Sequence, residues 1–214
     1  LPPEAGALAS SQADIASFAG GDRKVVMKAD ASLLLQVGDR PPHSLVATHV
    51  LRVRFDTALR YGVVVTPAHV QVFDVTSGRA VVDASSLSAR AADTSIDISG
   101  DGSGAVALQL EGRLLWWRRG EREWQTRSVP SASTDVKLSP RGDRALIWDA
   151  AGRLDVYDLA SGHRHPLTDA QMRTAQFVDD DHVVAADEDG AVWRWSLAHM
   201  RSSVLADHGG EGWM

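Results

Sequence analysis

Cysteine is absent from all 214 residues. Its absence excludes disulfides, thiolate metal sites and a cysteine nucleophile. It also fits a reducing compartment, and a cytoplasmic location is expected on that ground. Lysine occurs only at Lys24, Lys28 and Lys137, so the basic residues are nearly all arginine. With abundant alanine, that bias points to a GC-rich bacterial gene. No apolar run approaches the ~20 residues of a membrane helix, and the N-terminus lacks the charged-then-apolar pattern of a secretion signal. No membrane partner is expected. Positive charge is in deficit, with a formal net charge of −6. A nucleic-acid binder would normally show a basic face or stripe, so no nucleic-acid partner is expected either. An amphipathic helix of ten residues or more is also missing. The chain opens on Leu1 rather than methionine, as expected of a processed chain or a piece of a longer one. What is present is 44% hydrophobic and 23% charged, an ordinary balance able to bury a core.

The strongest positive signal is internal repetition. Val136-Lys-Leu-Ser-Pro-Arg-Gly-Asp-Arg-Ala-Leu-Ile-Trp148 and Gly152-Arg-Leu-Asp-Val-Tyr-Asp-Leu-Ala-Ser-Gly162 have an earlier counterpart in Val53–Asp56, Tyr61–Val65 and Val70–Gly78. A later one runs through Ala175–Ala185 and Gly190–Leu197. The last apolar residue of the first strand falls at Phe18, Phe55, Ile98, Leu138 and Phe177, in steps of 37, 43, 40 and 39. An aromatic near the end of the third strand falls at Phe73, Trp117, Tyr157 and Trp195, in steps of 44, 40 and 38, with Leu35 in that place in the first copy. Both series give the length of a four-stranded propeller blade. Short Val-, Leu- and aromatic-rich segments alternate with Gly, Asp, Ser and Pro clusters, as strands and tight turns require. Runs such as Gly62-Val-Val-Val-Thr66 are apolar on both faces, which suits a blade held between two neighbours. The expected fold is all-β, a β-propeller of four-stranded antiparallel blades at about 13–49, 50–86, 94–129, 134–168 and 172–206. Residues 5–10 read as a further strand, and two ring arrangements fit: five blades closing on themselves, or part of a six- to eight-bladed ring completed by another segment or chain.

Val-Phe-Asp-Val-Thr-Ser-Gly (72–78) and Val-Tyr-Asp-Leu-Ala-Ser-Gly (156–162) resemble the Trp-Asp strand ending of the WD40 family and its following turn. Leu-Ser-Pro-Arg-Gly-Asp (138–143) resembles the family's first-strand ending, and Asp207-His208 sits where the family has Gly-His. The resemblance covers roughly residues 13–208. It departs at Trp117 and Trp195, which are followed by Arg118 and Ser196 instead of aspartate. It implies a binding, sensor or scaffold module within a larger bacterial signalling or defence protein, with a protein or peptide partner. The alternative is a hydrolase or lyase with a polar site in the central channel.

Candidate chemistry is sparse. Asp97-Ile-Ser-Gly-Asp101-Gly102 has calcium-loop spacing, but its twelfth position is Leu108 where such loops need an acid. Gly100–Gly104 lacks the lysine and helix of a phosphate cradle. Arg141-Gly142-Asp143 matches an adhesion tripeptide but occupies the repeat's first turn. His163 and His165 share one side of a strand, an arrangement able to hold a metal, with no third ligand nearby in sequence. Asp179-Asp180-Asp181 and Asp187-Glu188-Asp189 read as solvated turns. Alternation puts Trp116 and Trp117 on opposite faces, with Trp117 in the core position. Trp124, beside Arg119, Arg122 and Arg127 on an outer hairpin, is the expected binding surface, because Trp and Arg are enriched at hot spots. Trp193, where other copies carry Gln71 and Asp155, is the second candidate. No nucleophile elbow, triad or carboxylate pair is visible, so no catalytic residue, metal or cofactor is assigned.

Overall fold

The computed structural model describes residues 14–46, 49–85, 91–168, 170–199 and 201–206. The strand expected at residues 5–10 and the pair Asp207-His208 lie outside them. Twenty strands form five four-stranded sheets, and in each the chain meanders, so that neighbours in sequence are neighbours in the sheet. The first blade comprises β1 (Asp14–Gly20), β2 (Arg23–Lys28), β3 (Leu33–Val37) and β4 (His43–Val46). The second comprises β5 (Arg52–Phe55), β6 (Tyr61–Val65), β7 (His69–Asp74) and β8 (Arg79–Ser85). The third comprises β9 (Ser95–Ile98), β10 (Gly104–Gln109), β11 (Arg113–Arg118) and β12 (Gln125–Ser128). The fourth comprises β13 (Ser133–Leu138), β14 (Arg144–Asp149), β15 (Leu154–Asp158) and β16 (Arg164–Thr168). The fifth comprises β17 (Met172–Asp179), β18 (His182–Asp187), β19 (Val192–Ser196) and β20 (Arg201–Ala206). The architecture is an all-β propeller arrangement of five antiparallel blades, as the repeat predicts.

Side-chain caps explain why the turn sequences recur. Asp74 Oδ1 accepts hydrogen bonds from the N–H and the hydroxyl of Ser77, at 2.7 and 3.0 Å. Asp158 does the same with Ser161, at 2.7 and 2.8 Å. Each turn then closes through a glycine at positive φ, Gly78 at 66° and Gly162 at 78°, a conformation that favours glycine. In the first turns, Asp56 Oδ1 accepts from the N–H groups of Arg60 and Tyr61. Ser139 Oγ does so from Asp143 and Arg144. These turns also tie blade to blade. Arg23 donates to the carbonyl of Leu59 (3.0 Å), Ser103 Oγ to that of Arg141 (3.0 Å) and Arg144 to that of Asp180 (2.6 Å).

Between blades the chain is apolar, because every interior blade must bury both faces. Val63, Val65, Val70 and Val72 face the third blade, meeting Ile96, Ala105, Leu115 and Trp117. Val53, Val64 and Phe73 of the same sheet face the first. Two further clusters join the third blade to the fourth and the fourth to the fifth. The cross-strand register shows how the two sequence anchors meet. Phe55, Gly62 and Phe73 form one row, as do Ile98, Ala105 and Trp117, then Leu138, Ala145 and Tyr157, then Phe177, Val183 and Trp195. In three of these four rows a glycine or alanine stands between two bulky groups, and all four rows face the preceding blade.

The first copy departs from its sequence alignment. Phe18, Val25 and Leu35 form a row, but that row faces the second blade. Its counterparts are therefore Arg54, Val63 and Val72, one residue away from the anchors assigned by spacing. A one-residue slip turns every side chain to the other face. The row matching the aromatic anchors in the first blade is instead Ala19, Lys24 and Gln36. The outer face of the fifth blade likewise carries Arg194, beside Gln176 and Val184, where the interior blades carry Val72, Trp116 and Val156. Lys24, Gln176 and Arg194 are exposed.

Candidate functional site

The first strands of four consecutive blades border a common cavity of about 290 Å³. Phe18 of β1, Arg52 and Arg54 of β5, Ser95 and Ile96 of β9, and Asp135 and Lys137 of β13 line it, with Leu51 half-open beside them. The register makes Phe18, Arg54, Asp97, Lys137 and Gln176 equivalent positions of the five blades. Elsewhere in the interior blades this row is apolar, so a polar residue here marks the wall of this cavity, which we refer to as the channel.

The carboxylates of this wall are committed to the protein itself. Asp97 Oδ2 accepts the N–H of Leu138 at 2.8 Å, across the blade boundary. Asp135 Oδ1 accepts the Ser95 hydroxyl and the N–H of Val136, which also approaches Ser95 Oγ at 3.3 Å. β13 is the innermost strand of its blade, and its channel-side N–H groups have no strand partner. Ser95, Asp97 and Asp135 occupy them instead, which removes an otherwise open edge. Burial pushes the Asp97 carboxyl above its usual range, against the opposing pull of the Leu138 N–H and of Lys137 and Arg54.

The cations of the wall are differently placed. Arg52 donates from Nε to the carbonyl of Ala92 at 3.0 Å and keeps an exposed guanidinium. Among the described residues neither Arg54 nor Lys137 makes a hydrogen bond or ion pair through its side chain, though both lie near enough to act on Asp97. Among the described residues the site thus offers two positive charges without a hydrogen-bond or ion-pair partner, on the second and fourth blades with Asp97 of the third between them, beside the apolar side chains of Phe18 and Leu51. Among the described residues, no group of three or more His, Asp or Glu is placed to hold a metal.

Of the residues singled out from sequence for a binding surface, Arg119, Arg122, Trp124 and Arg127 share the β11–β12 hairpin, and Trp193 lies apart on β19. Arg119 and Arg122 are exposed on the β11–β12 turn, as expected. Trp124, on the same turn, is half-buried against the core between the second and third blades, and its indole N–H is buried without a partner among the described residues. Arg127 acts as a strut, with its guanidinium 5.2 Å above the ring of Trp116 and directed at the Asp158 carbonyl at 3.4 Å. Trp193 packs against the core between the fourth and fifth blades, and its N–H donates to Asp187 Oδ2 at 3.0 Å. That bond is the main cause of a lowered Asp187 pKa. In a meander, the turn holding Trp124 and the turn preceding Trp193 lie at opposite ends of their blades, so the two tryptophans share no surface. His163 and His165 do adjoin, with ring centroids 4.3 Å apart. Asp97 and Asp101 of the calcium-like spacing serve separate bonds, Asp97 with Leu138 and Asp101 with Ser99 and Ser103. Arg141 of the adhesion-like tripeptide pairs with Asp180 at 3.2 Å.

Sequence reasoning missed the channel wall. Its signal was there, as a polar residue between two apolar anchors in Val53-Arg54-Phe55, Ile96-Asp97-Ile98 and Val136-Lys137-Leu138. No family model matches the chain, and no curated protein matches its sequence.

Proposed function

We propose that the chain is a non-catalytic binding module that receives a protein or peptide segment at its central channel. The observation that carries this reading is the division of labour in the channel wall. Asp97 and Asp135 are spent on clasping β13, whereas Arg54 and Lys137, though near enough to act on Asp97, make no hydrogen bond or ion pair among the described residues. A general acid or base must exchange protons with a substrate. A recognition site needs a few polar groups fixed above an apolar surface. Support for a WD40-like relationship comes from the matched Asp-Ser caps at Asp74 and Asp158. With it goes the reading of a cytoplasmic sensor or scaffold within a larger bacterial protein.

A partner that completes a ring by adding blades would have to bury Lys24 and Arg194, at a cost in desolvation. The peptide reading is favoured for that reason. One observation speaks for the enzyme alternative: the raised pKa of Asp97, since such shifts cluster at catalytic sites. Panning a peptide-display library on the chain, then re-testing the enriched peptides on Arg54→Glu, separates the readings. A binding module enriches peptides that lose affinity on the variant. Absence of enrichment, or enrichment indifferent to Arg54, contradicts it.

A further inference from the structure

Resting on the channel-binding reading, we infer that Arg54 and Lys137 take the carboxylate of an acidic side chain in a peptide, while an apolar neighbour of that side chain lies against Phe18, Leu51 and Ile96. Charge decides the class of ligand. Three cations, Arg52, Arg54 and Lys137, face the cavity against one lining carboxylate, Asp135, in a chain whose net charge is −6. Counting the adjacent Asp97 as well leaves one positive charge. A single carboxylate neutralises it, while a dianionic phosphate overshoots it.

Size decides the form. A cavity of about 290 Å³ is at the lower end of ligand pockets, which run roughly from 300 to 1,000 Å³. It accommodates side chains projecting from a peptide, not a whole cofactor. The half-exposed Leu51 and the partly buried Phe18 give the peptide an apolar contact next to the charge. Charge-assisted bonds to Arg are stronger than neutral ones, so the acidic residue anchors the segment.

The test uses two probes, acetyl-Leu-Glu-Leu-amide and its Gln counterpart, titrated into the chain with methyl-labelled Leu, Val and Ile. The Glu peptide is expected to shift the methyl signals of Leu51, Val53 and Ile96 saturably, with the Gln peptide about tenfold weaker, a difference near 1.4 kcal/mol. The Arg54→Gln, Lys137→Gln double variant should erase that difference while leaving the methyl signals of the other blade interfaces in place. Equal binding of both peptides overturns the carboxylate assignment and leaves the channel reading standing. A Glu preference that survives in the double variant overturns the assignment to Arg54 and Lys137. No shift from either peptide overturns both readings.

Discussion

Gly62 sits between Phe55 and Phe73 in its row, and an added Cβ would lie 2.6 Å from the Phe73 ring and 2.9 Å from that of Phe55. Phe73 is buried, and Phe55 also meets Phe18 with centroids 4.9 Å apart. Gly62→Ala is therefore expected to cost about 1–3 kcal/mol by overpacking, read as a lower midpoint in denaturant. An unchanged midpoint would show that the rings give way freely. Asp97 supplies a pH dependence at the same scale. Its carboxyl titrates above the ordinary 3.8 because it is buried, so the folded state favours the protonated form. The contribution of Asp97 to stability is complete below the unfolded pKa and is lost as pH rises through the folded one. Asparagine keeps an acceptor for the Leu138 N–H without the buried charge. Asp97→Asn should be more stable than the parent at neutral pH, and the gap should close on acidification below about pH 4. A variant less stable at neutral pH would mean that attraction to Arg54 and Lys137 outweighs burial.

At the scale of strands and blades, the anchor row is the unit of construction. Trp117 is 1% exposed and fills the interface between the second and third blades, with Tyr61 against it at 5.8 Å. Trp117→Ala should destabilise by about 3–5 kcal/mol. Truncating exposed Arg122 should change stability by less than about 0.5 kcal/mol. The blade pattern was legible because large and small residues alternate in rows that repeat with the chain. The register of the first blade was not, because Phe18 and Leu35 match the anchors in chemistry and spacing but lie on the opposite face. Only the hydrogen-bonded ladder settles which face a residue takes. The packing of the tryptophans was not legible either. Enrichment at binding surfaces is a property of exposed side chains, and Trp193 and Trp124 are both partly taken up by blade interfaces. The channel wall went unnoticed because Arg54, Asp97 and Lys137 differ in charge, although they hold one position in the repeat.

Taken as a whole molecule, the propeller places its two surfaces of interest at different locations. Leu51 and Arg52 stand where β5 begins, next to the connection entering the second blade. Arg119 and Arg122 stand on the third blade's last turn, at the other end of the sheets. The end blades show charge at Lys24 and Arg194 where interior faces are apolar, so the chain is expected to stay monomeric at low micromolar concentration. Light scattering behind size exclusion checks this, and a defined dimer would contradict it. Binding at the channel should weaken with added salt, as expected of charges that remain partly in solvent. The most direct test compares two double variants, Arg54→Gln with Lys137→Gln and Arg119→Gln with Arg122→Gln, using fluorescence anisotropy of one selected peptide. The channel pair should lose at least about tenfold in affinity, the equivalent of 1.4 kcal/mol, and the hairpin pair should bind as the parent does. Loss confined to the hairpin pair would place the binding surface on the outer turn and contradict the account.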